Sequence, residues 1–362
     1  MVTSTVYPRM KKISFLKTVL FSLIPLTAVF VVAEVGLRTT LYQYRSRYVL
    51  ALQEVYEKAH QLVITKLVER RLGNLNIPGG TREALYTDDG SLLLHEFQGR
   101  YEANFSQLVQ ETEKIGSKLM MVYIPSDDFH SKLHQMDVNR AFFAELCAKY
   151  HIPFLDVTEK FLKYPSDVVT LLPADNHLSR FGNQIVADEI GQTILSLFRG
   201  YKSGVHFDVR PALLGDFRPN DDSIWTQNPS LPYHVRINSQ GLRMDSDLNF
   251  PKTKQRILIL GDSVTFGVFL HGHDTYPGLL NRKYPDNEFV NAGVQGYTVF
   301  QELSLFKERA KYAEPDVTVL QVLDNDLYDF YYFRLNEFDR ERKSHEPSAL
   351  EQSLLQKLRR GN

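Results

Sequence analysis

Short, unbroken apolar runs, each ending at a polar or glycine-containing turn, constrain this chain more than any other feature. Leu119 to Ile124 (LMMVYI) stops at Pro125, and Ile152 to Val157 (IPFLDV) follows a helical stretch over 138–150. The pattern resumes with Ile257 to Leu260 (ILIL), Glu288 to Val290 leading into Asn291, and Val317 to Leu323 (VTVLQVL). Runs this short and this apolar predict strands buried on both faces, as in a parallel sheet. Helical patterns fall between them, over 101–115 with Gly116 as the stop, 181–199, 274–283 and 299–313. Alternation at this spacing predicts an α/β fold, helices on both faces, and ligands beyond the carboxyl ends of the strands. Residues 201–250 are rich in Pro, Gly, Asn and Asp and are expected to be an irregular connector. Trp225, Tyr233 and several Phe in it must pack somewhere, so it should cover one face.

The amino-terminal region makes a separate demand. Thr18 to Ala33 carries no charge, and Ser14 to Leu16 and Val35 to Leu37 extend it to a spanning length of about 20 residues. Lys17 and Glu34 then sit near the two interfaces, with Lys17 snorkelling, and Pro25 is tolerated. Arg9, Lys11, Lys12 and Lys17 on the leading side of the apolar run, against Arg38, Arg45 and Arg47 after it, lean slightly toward an inside amino terminus. The expectation is a single-pass anchor with the rest on the extracytoplasmic side. A cleaved signal peptide is the alternative, but no small-x-small site follows the apolar run. Residues 49–72 carry Leu and Val at helical spacing and predict an amphipathic helix, broken at Asn74 to Gly80.

Charge is balanced, with 42 Lys+Arg against 43 Asp+Glu, and gives no support for a nucleic-acid partner. The lone cysteine, Cys147, excludes an intramolecular disulfide and reads as a buried small hydrophobe.

The sharpest chemical signal is ILILGDSVTFG over 257–267. A buried strand runs into Gly261-Asp262-Ser263, so a hydroxyl can stand at the mouth of the sheet with a helix amino terminus behind it. An ordinary strand-to-helix turn with a serine cap would look the same. The next strand ends in NAGVQGYT with Gly296, and the third in LDND with Asn325. A serine, a glycine amide and an asparagine amide at one sheet edge are the parts of a nucleophile with an oxyanion hole. Each alone is ordinary, since Asn325 could cap a turn and Gly296 could only permit a positive φ. A base is offered upstream, in PADNHLSRFG, where Asp175 and His177 precede an amphipathic helix, although a surface loop with Asp or Asn capping that helix would read the same. His271, His273 and Asp274 (HGHD) have the look of a metal cluster without a further ligand motif; no metal or other cofactor is expected. The aromatic run Phe330 to Phe333 is expected to pack against the core or a covering segment.

Together GDSVTFG, NAGVQGYT, LDND and DNHLSRFG resemble the four signature blocks of SGNH (GDSL-type) hydrolases. The resemblance covers roughly 100–200 and 230–335. It implies a flavodoxin-like α/β/α fold and ester cleavage, with Ser263 as nucleophile, His177 as base and Asp175 as its orienting acid. Gly296 and Asn325 then resemble the oxyanion residues. Three departures stand beside it. Leu323 replaces the usual glycine of the third block, Asp175 lies two residues before His177 where three is commoner, and the histidine block precedes the serine block. Circular permutation accounts for the inverted order, because termini of compact domains often lie close together. The rival is a pair of incomplete domains, or halves completed by another chain.

The expected organisation is a cytoplasmic 1–13, an anchor over 14–37, a helical linker over 38–79, a histidine-block half over 80–200, a connector over 201–234 and a serine-block half over 235–362. The tail, from 334, is expected to be helical. The expected function is hydrolysis of short O-acyl esters, with an acylated envelope glycan as one substrate and the membrane as a partner through the anchor. Acyl transfer to a sugar hydroxyl by the same residues, and a non-catalytic envelope scaffold, are the alternatives.

Overall fold

The structure, a computed structural model, describes residues 91–125 and 133–327. The expected anchor, its linker, the helix over 49–72, the aromatic run and the tail lie outside the described residues. Among the described residues no helix is long and apolar enough to cross a membrane.

Five parallel strands form the central sheet, in the order β2-β1-β7-β5-β6. They are β1 (Lys118–Tyr123), β2 (Phe154–Asp156), β5 (Gln255–Leu260), β6 (Asn287–Asn291) and β7 (Val317–Val322). A separate antiparallel hairpin is made by β3 (Asp222–Trp225) and β4 (Tyr233–Arg236). Every residue of β5 and β7 is buried, as expected of strands covered on both faces. The edge strand β2 is only half-buried and shorter than its apolar run suggested.

Counted from β5 as first, through β6, β7, β1 and β2, the sheet order reads 2-1-3-4-5, the flavodoxin-like order. The chain begins this series at its fourth strand. The two halves are joined in the middle of the sheet, where β1 pairs with β7 over six residues, Lys118 to Tyr123 against Val317 to Val322.

The helices are α1 (Ser91–Lys114), α2 (Leu133–Lys149), α3 (Thr158–Phe161), α4 (Ser166–Val169), α5 (Arg180–Leu197), α6 (Ser263–Phe266), α7 (Tyr276–Lys283) and α8 (Val299–Glu308). α1 packs on α8 and, through Tyr101 against Phe142 and Phe143, on α2. α5 packs on α7, and the two halves meet there too: the Asn183 Oδ1 accepts from the Tyr276 N–H at 2.8 Å. Cys147 sits buried on α2, and burial pushes its thiol up to about 12, as suits a packing residue. The pattern over 299–313 divides into α8 and a 3₁₀ turn at Ala310–Ala313.

The segment after α5 differs from the irregular connector expected. It contains the β3–β4 hairpin, whose Trp225 and Tyr233 pack with Phe217 and Phe266. Its start is pinned to the foot of β7: the Ser203 N–H donates to Asp316 Oδ1 at 2.8 Å, and Lys252 Nζ reaches the same oxygen at 2.7 Å.

Candidate active site

β5 ends at Leu260, and the chain turns through Gly261 and Asp262 into α6, whose first residue is Ser263. Gly261 is required by space: a Cβ there would lie 2.2 Å from Thr265 Oγ1 and 2.5 Å from Gln321 Oε1. Asp262 caps the helix by accepting from the Val264 N–H at 2.9 Å, a contact of about 1 kcal/mol at a typical helix start. The four-residue helix stops at Gly267, which is left-handed at φ 79°. As first residue of α6, Ser263 has an N–H with no acceptor inside the helix.

The histidine arrives from the other half of the chain. The loop between α4 and α5 is closed by Leu171 N–H to His177 O (2.9 Å) and Ser179 N–H to Val169 O (2.8 Å). Ser179 then caps α5 by accepting from the Gly182 N–H at 3.1 Å. The two-residue spacing from Asp175 to His177 is bridged by one carboxylate oxygen. Asp175 Oδ1 accepts the His177 backbone N–H at 2.8 Å and the ring Nδ1 at 2.6 Å. Nε2 of the same ring is 2.9 Å from Ser263 Oγ. The His177 and Asp175 side chains keep 24% and 22% exposure, so the site is open enough for a substrate to reach it. Burial pushes the Asp175 carboxyl up, but the hydrogen bonds from the His177 ring and backbone outweigh it and hold the carboxyl below its ordinary range.

Gly296 and Asn325 follow β6 and β7, the first a neighbour of β5 on one side and the second on the other. Gly296 is left-handed at φ 73°, in a turn closed by Tyr297 N–H to Val294 O at 3.1 Å. Asn325 stands at a turn held by its neighbours. The Leu323 N–H donates to Asp326 Oδ2 at 2.6 Å, and Asp324 accepts from Tyr123 Oη and from Asn139 Nδ2. Leu323, where the resembling block has glycine, is buried and serves as the stem of this turn. Ser263 and Asn325 therefore flank the β5–β7 boundary, the point where the strand order reverses and where open α/β sheets bind ligands.

Further residues shape the site beyond the five that the sequence singles out. Gly293 lies directly beneath the serine turn, where a Cβ would come within 2.5 Å of the Phe266 nitrogen. Arg243 is buried beside α6, and Phe269, non-glycine yet left-handed at φ 64°, sets its ring 5.8 Å from that of His177. Asp262 and Glu302 are both buried. Burial raises the Asp262 carboxyl against the pull of Val264 N–H and His177, and burial, followed by the nearby Asp262, raises that of Glu302 well above its ordinary range. Glu302 Oε1 has no hydrogen-bond partner among the described residues.

His271 and His273 stack with ring centroids 5.8 Å apart, while Asp274 pairs with Arg180 at 3.0 Å. Among the described residues no three or more His, Cys, Asp or Glu side chains are gathered in a way that could hold a metal ion.

No family model matches the sequence, and no curated protein matches it. Solved structures similar to the chain include two whose likeness can be stated in numbers. One is the O-acetyltransferase domain of Pseudomonas putida AlgJ, with 14% identity and a TM-score of 0.41 over 74% of this chain and 92% of that one. The other is Bacillus cereus PatB1 with a sulfonyl adduct, with 11% identity and a TM-score of 0.36 over 64% of this chain and 88% of that one. Neither likeness assigns a role to a residue here.

Proposed function

We propose that the chain is a serine esterase working by two-step acyl transfer. One observation carries this reading: a continuous relay from Asp175 Oδ1 to His177 Nδ1 (2.6 Å) and from His177 Nε2 to Ser263 Oγ (2.9 Å). His177 takes the Ser263 proton as Oγ attacks the ester carbonyl, and Asp175 holds the ring tautomer and stabilises the imidazolium. The Ser263 and Gly296 N–H groups and the Asn325 amide receive the oxyanion. His177 returns the proton to the departing alcohol, leaving an acyl-Ser263 ester. Water, deprotonated by the same ring, then attacks the acyl carbon, and Ser263 leaves with the proton.

No step needs a cofactor. Short O-acyl esters on an envelope glycan are the substrate class favoured, supported by the apolar segment at 14–37, which would hold the domain against a membrane on its outer side. Hydrolysis of p-nitrophenyl acetate by the wild type, Ser263→Ala and His177→Ala tests the reading. Turnover by the wild type, with both variants slower by orders of magnitude, is the expected result. Equal rates in all three would overturn it.

A further inference from the structure

Arg243 is only 4% exposed, and its hydrogen bonds run to backbone carbonyls. Nη1 donates to Phe266 O and, at 2.7 Å, to Gly267 O, while Nη2 donates to Leu270 O at 2.6 Å. These carbonyls belong to the last residue of α6, its left-handed cap and the end of the following loop. The backbone closes part of this end, with Ser263 O accepting from the Gly267 N–H at 2.9 Å and Gly267 O from the Leu270 N–H at 3.2 Å. The Phe266 and Leu270 carbonyls lie past those bonds, as carbonyls at a helix end do, and the one guanidinium reaches both. Burial pulls Arg243 down to about 10, so it stays cationic at neutral pH. Among the described residues it has no ion-pair partner, and burying an unpaired cation is costly where only packing is needed.

The rings around it show what it holds. The guanidinium lies 4.2 Å over the Phe266 ring and 5.6 Å from the Tyr233 ring. Tyr233 meets Phe269 edge-on at 5.6 Å, and Phe269 meets His177 edge-on at 5.8 Å. Phe269 keeps its unfavourable left-handed backbone between Gly267 and Leu270, two of the three residues whose carbonyls Arg243 grips. One side chain thus fixes the end of the serine helix and, through the aromatic chain, one side of the histidine ring.

We propose that Arg243 is a positioning residue for the acyl-transfer site, setting Ser263 through the end of α6 and His177 through Tyr233 and Phe269. The proposal rests on the esterase reading above. A displacement near 1 Å between nucleophile and base is enough to cost about 100-fold in rate.

The test uses the full chain and a fluorophosphonate probe, with labelling rates, kcat and KM for p-nitrophenyl acetate, and thermal midpoints. The variants are Arg243→Lys, Arg243→Met, Phe269→Ala and the Arg243→Met/Phe269→Ala double. The expected result is labelling and kcat lower by about 10- to 100-fold with KM little changed. The double variant should be no slower than the Arg243 single, because the two act along one path. Guanidinium ion should partly restore Arg243→Met. A folded Arg243→Met that labels at the wild-type rate overturns the proposal. Should Arg243→Met not fold, Phe269→Ala carries the test, and an unchanged rate there overturns it. A wild-type chain that neither labels nor turns over overturns the esterase reading, and this inference with it.

Discussion

His177 and Ser263 stand 86 positions apart in the chain and 2.9 Å apart in the fold. They come from opposite halves of the sequence and meet because β1 and β7 pair along their full length. Asp175 completes the alignment from within the histidine loop, two residues away, by using one oxygen for both the ring and the backbone of His177.

Replacing Asp175 tests that double contact. Asp175→Asn should lower kcat by on the order of 10³–10⁴, because an amide no longer holds the ring tautomer or stabilises its cation. Stability gives a second reading. Hydrogen bonds to His177 depress the folded-state carboxyl, so its contribution is complete above the unfolded pKa and is lost as pH falls through the folded one. Thermal midpoints of wild type and Asp175→Asn should differ at neutral pH and converge at the acid end.

Asn325→Ala should lower kcat by about 10²–10³ while changing KM little, the pattern of a donor engaged in the transition state. Steady-state kinetics on p-nitrophenyl acetate decides it. A rise in KM at constant kcat would place the amide on the ground-state substrate instead.

Gly293→Ala should impair the site though the residue touches no substrate. Its Cβ would meet the Phe266 nitrogen at 2.5 Å and the Thr265 side chain at 2.6 Å, both in the serine helix. That helix must shift, at a cost of about 1–3 kcal/mol in stability for an overpacked site. The check is a denaturant midpoint beside a fluorophosphonate labelling rate, and both should fall.

Glu302→Gln should stabilise the protein increasingly toward alkaline pH. Burial, and then Asp262, raise the folded-state carboxyl of Glu302, so the folded chain keeps a proton that the unfolded chain loses. Stability from such a group is greatest below the unfolded pKa and declines as pH rises toward the folded one. The glutamine removes this decline. The variant should match wild type near about pH 4 and melt higher near about pH 8, by about 2–4 °C per kcal/mol recovered.

Much of the sheet was legible because its strands are buried on both faces, which leaves runs such as ILIL and VTVLQVL without a polar interruption. Strand order was not legible, since nothing local in LMMVYI names VTVLQV as its neighbour. The hairpin is illegible for a different reason. DSIW and YHVR are four residues each and half exposed, too short and mixed to separate from loop. In the site, Ser263, Gly296 and Asn325 are legible as polar or glycine groups at strand ends and Asp175 and His177 as a loop pair, their roles following from the block resemblance, and the fold brings Ser263, His177 and Asp175 into hydrogen-bond contact. Arg243, Phe269 and Gly293 act through backbone carbonyls, ring edges and close approach. Those contacts depend on three-dimensional neighbours, so even Gly293, inside the NAGVQGYT block, does not show its role in the sequence.

In the proposed mechanism Ser263 is a nucleophile activated by His177. The most direct measurement is fluorophosphonate labelling of the full chain, followed by mass spectrometry of the modified peptide. A covalent adduct on Ser263 is predicted in the wild type, absent in Ser263→Ala and formed far more slowly in His177→Ala. A folded wild-type chain with no adduct on Ser263, or with equal labelling when His177 is removed, would contradict it.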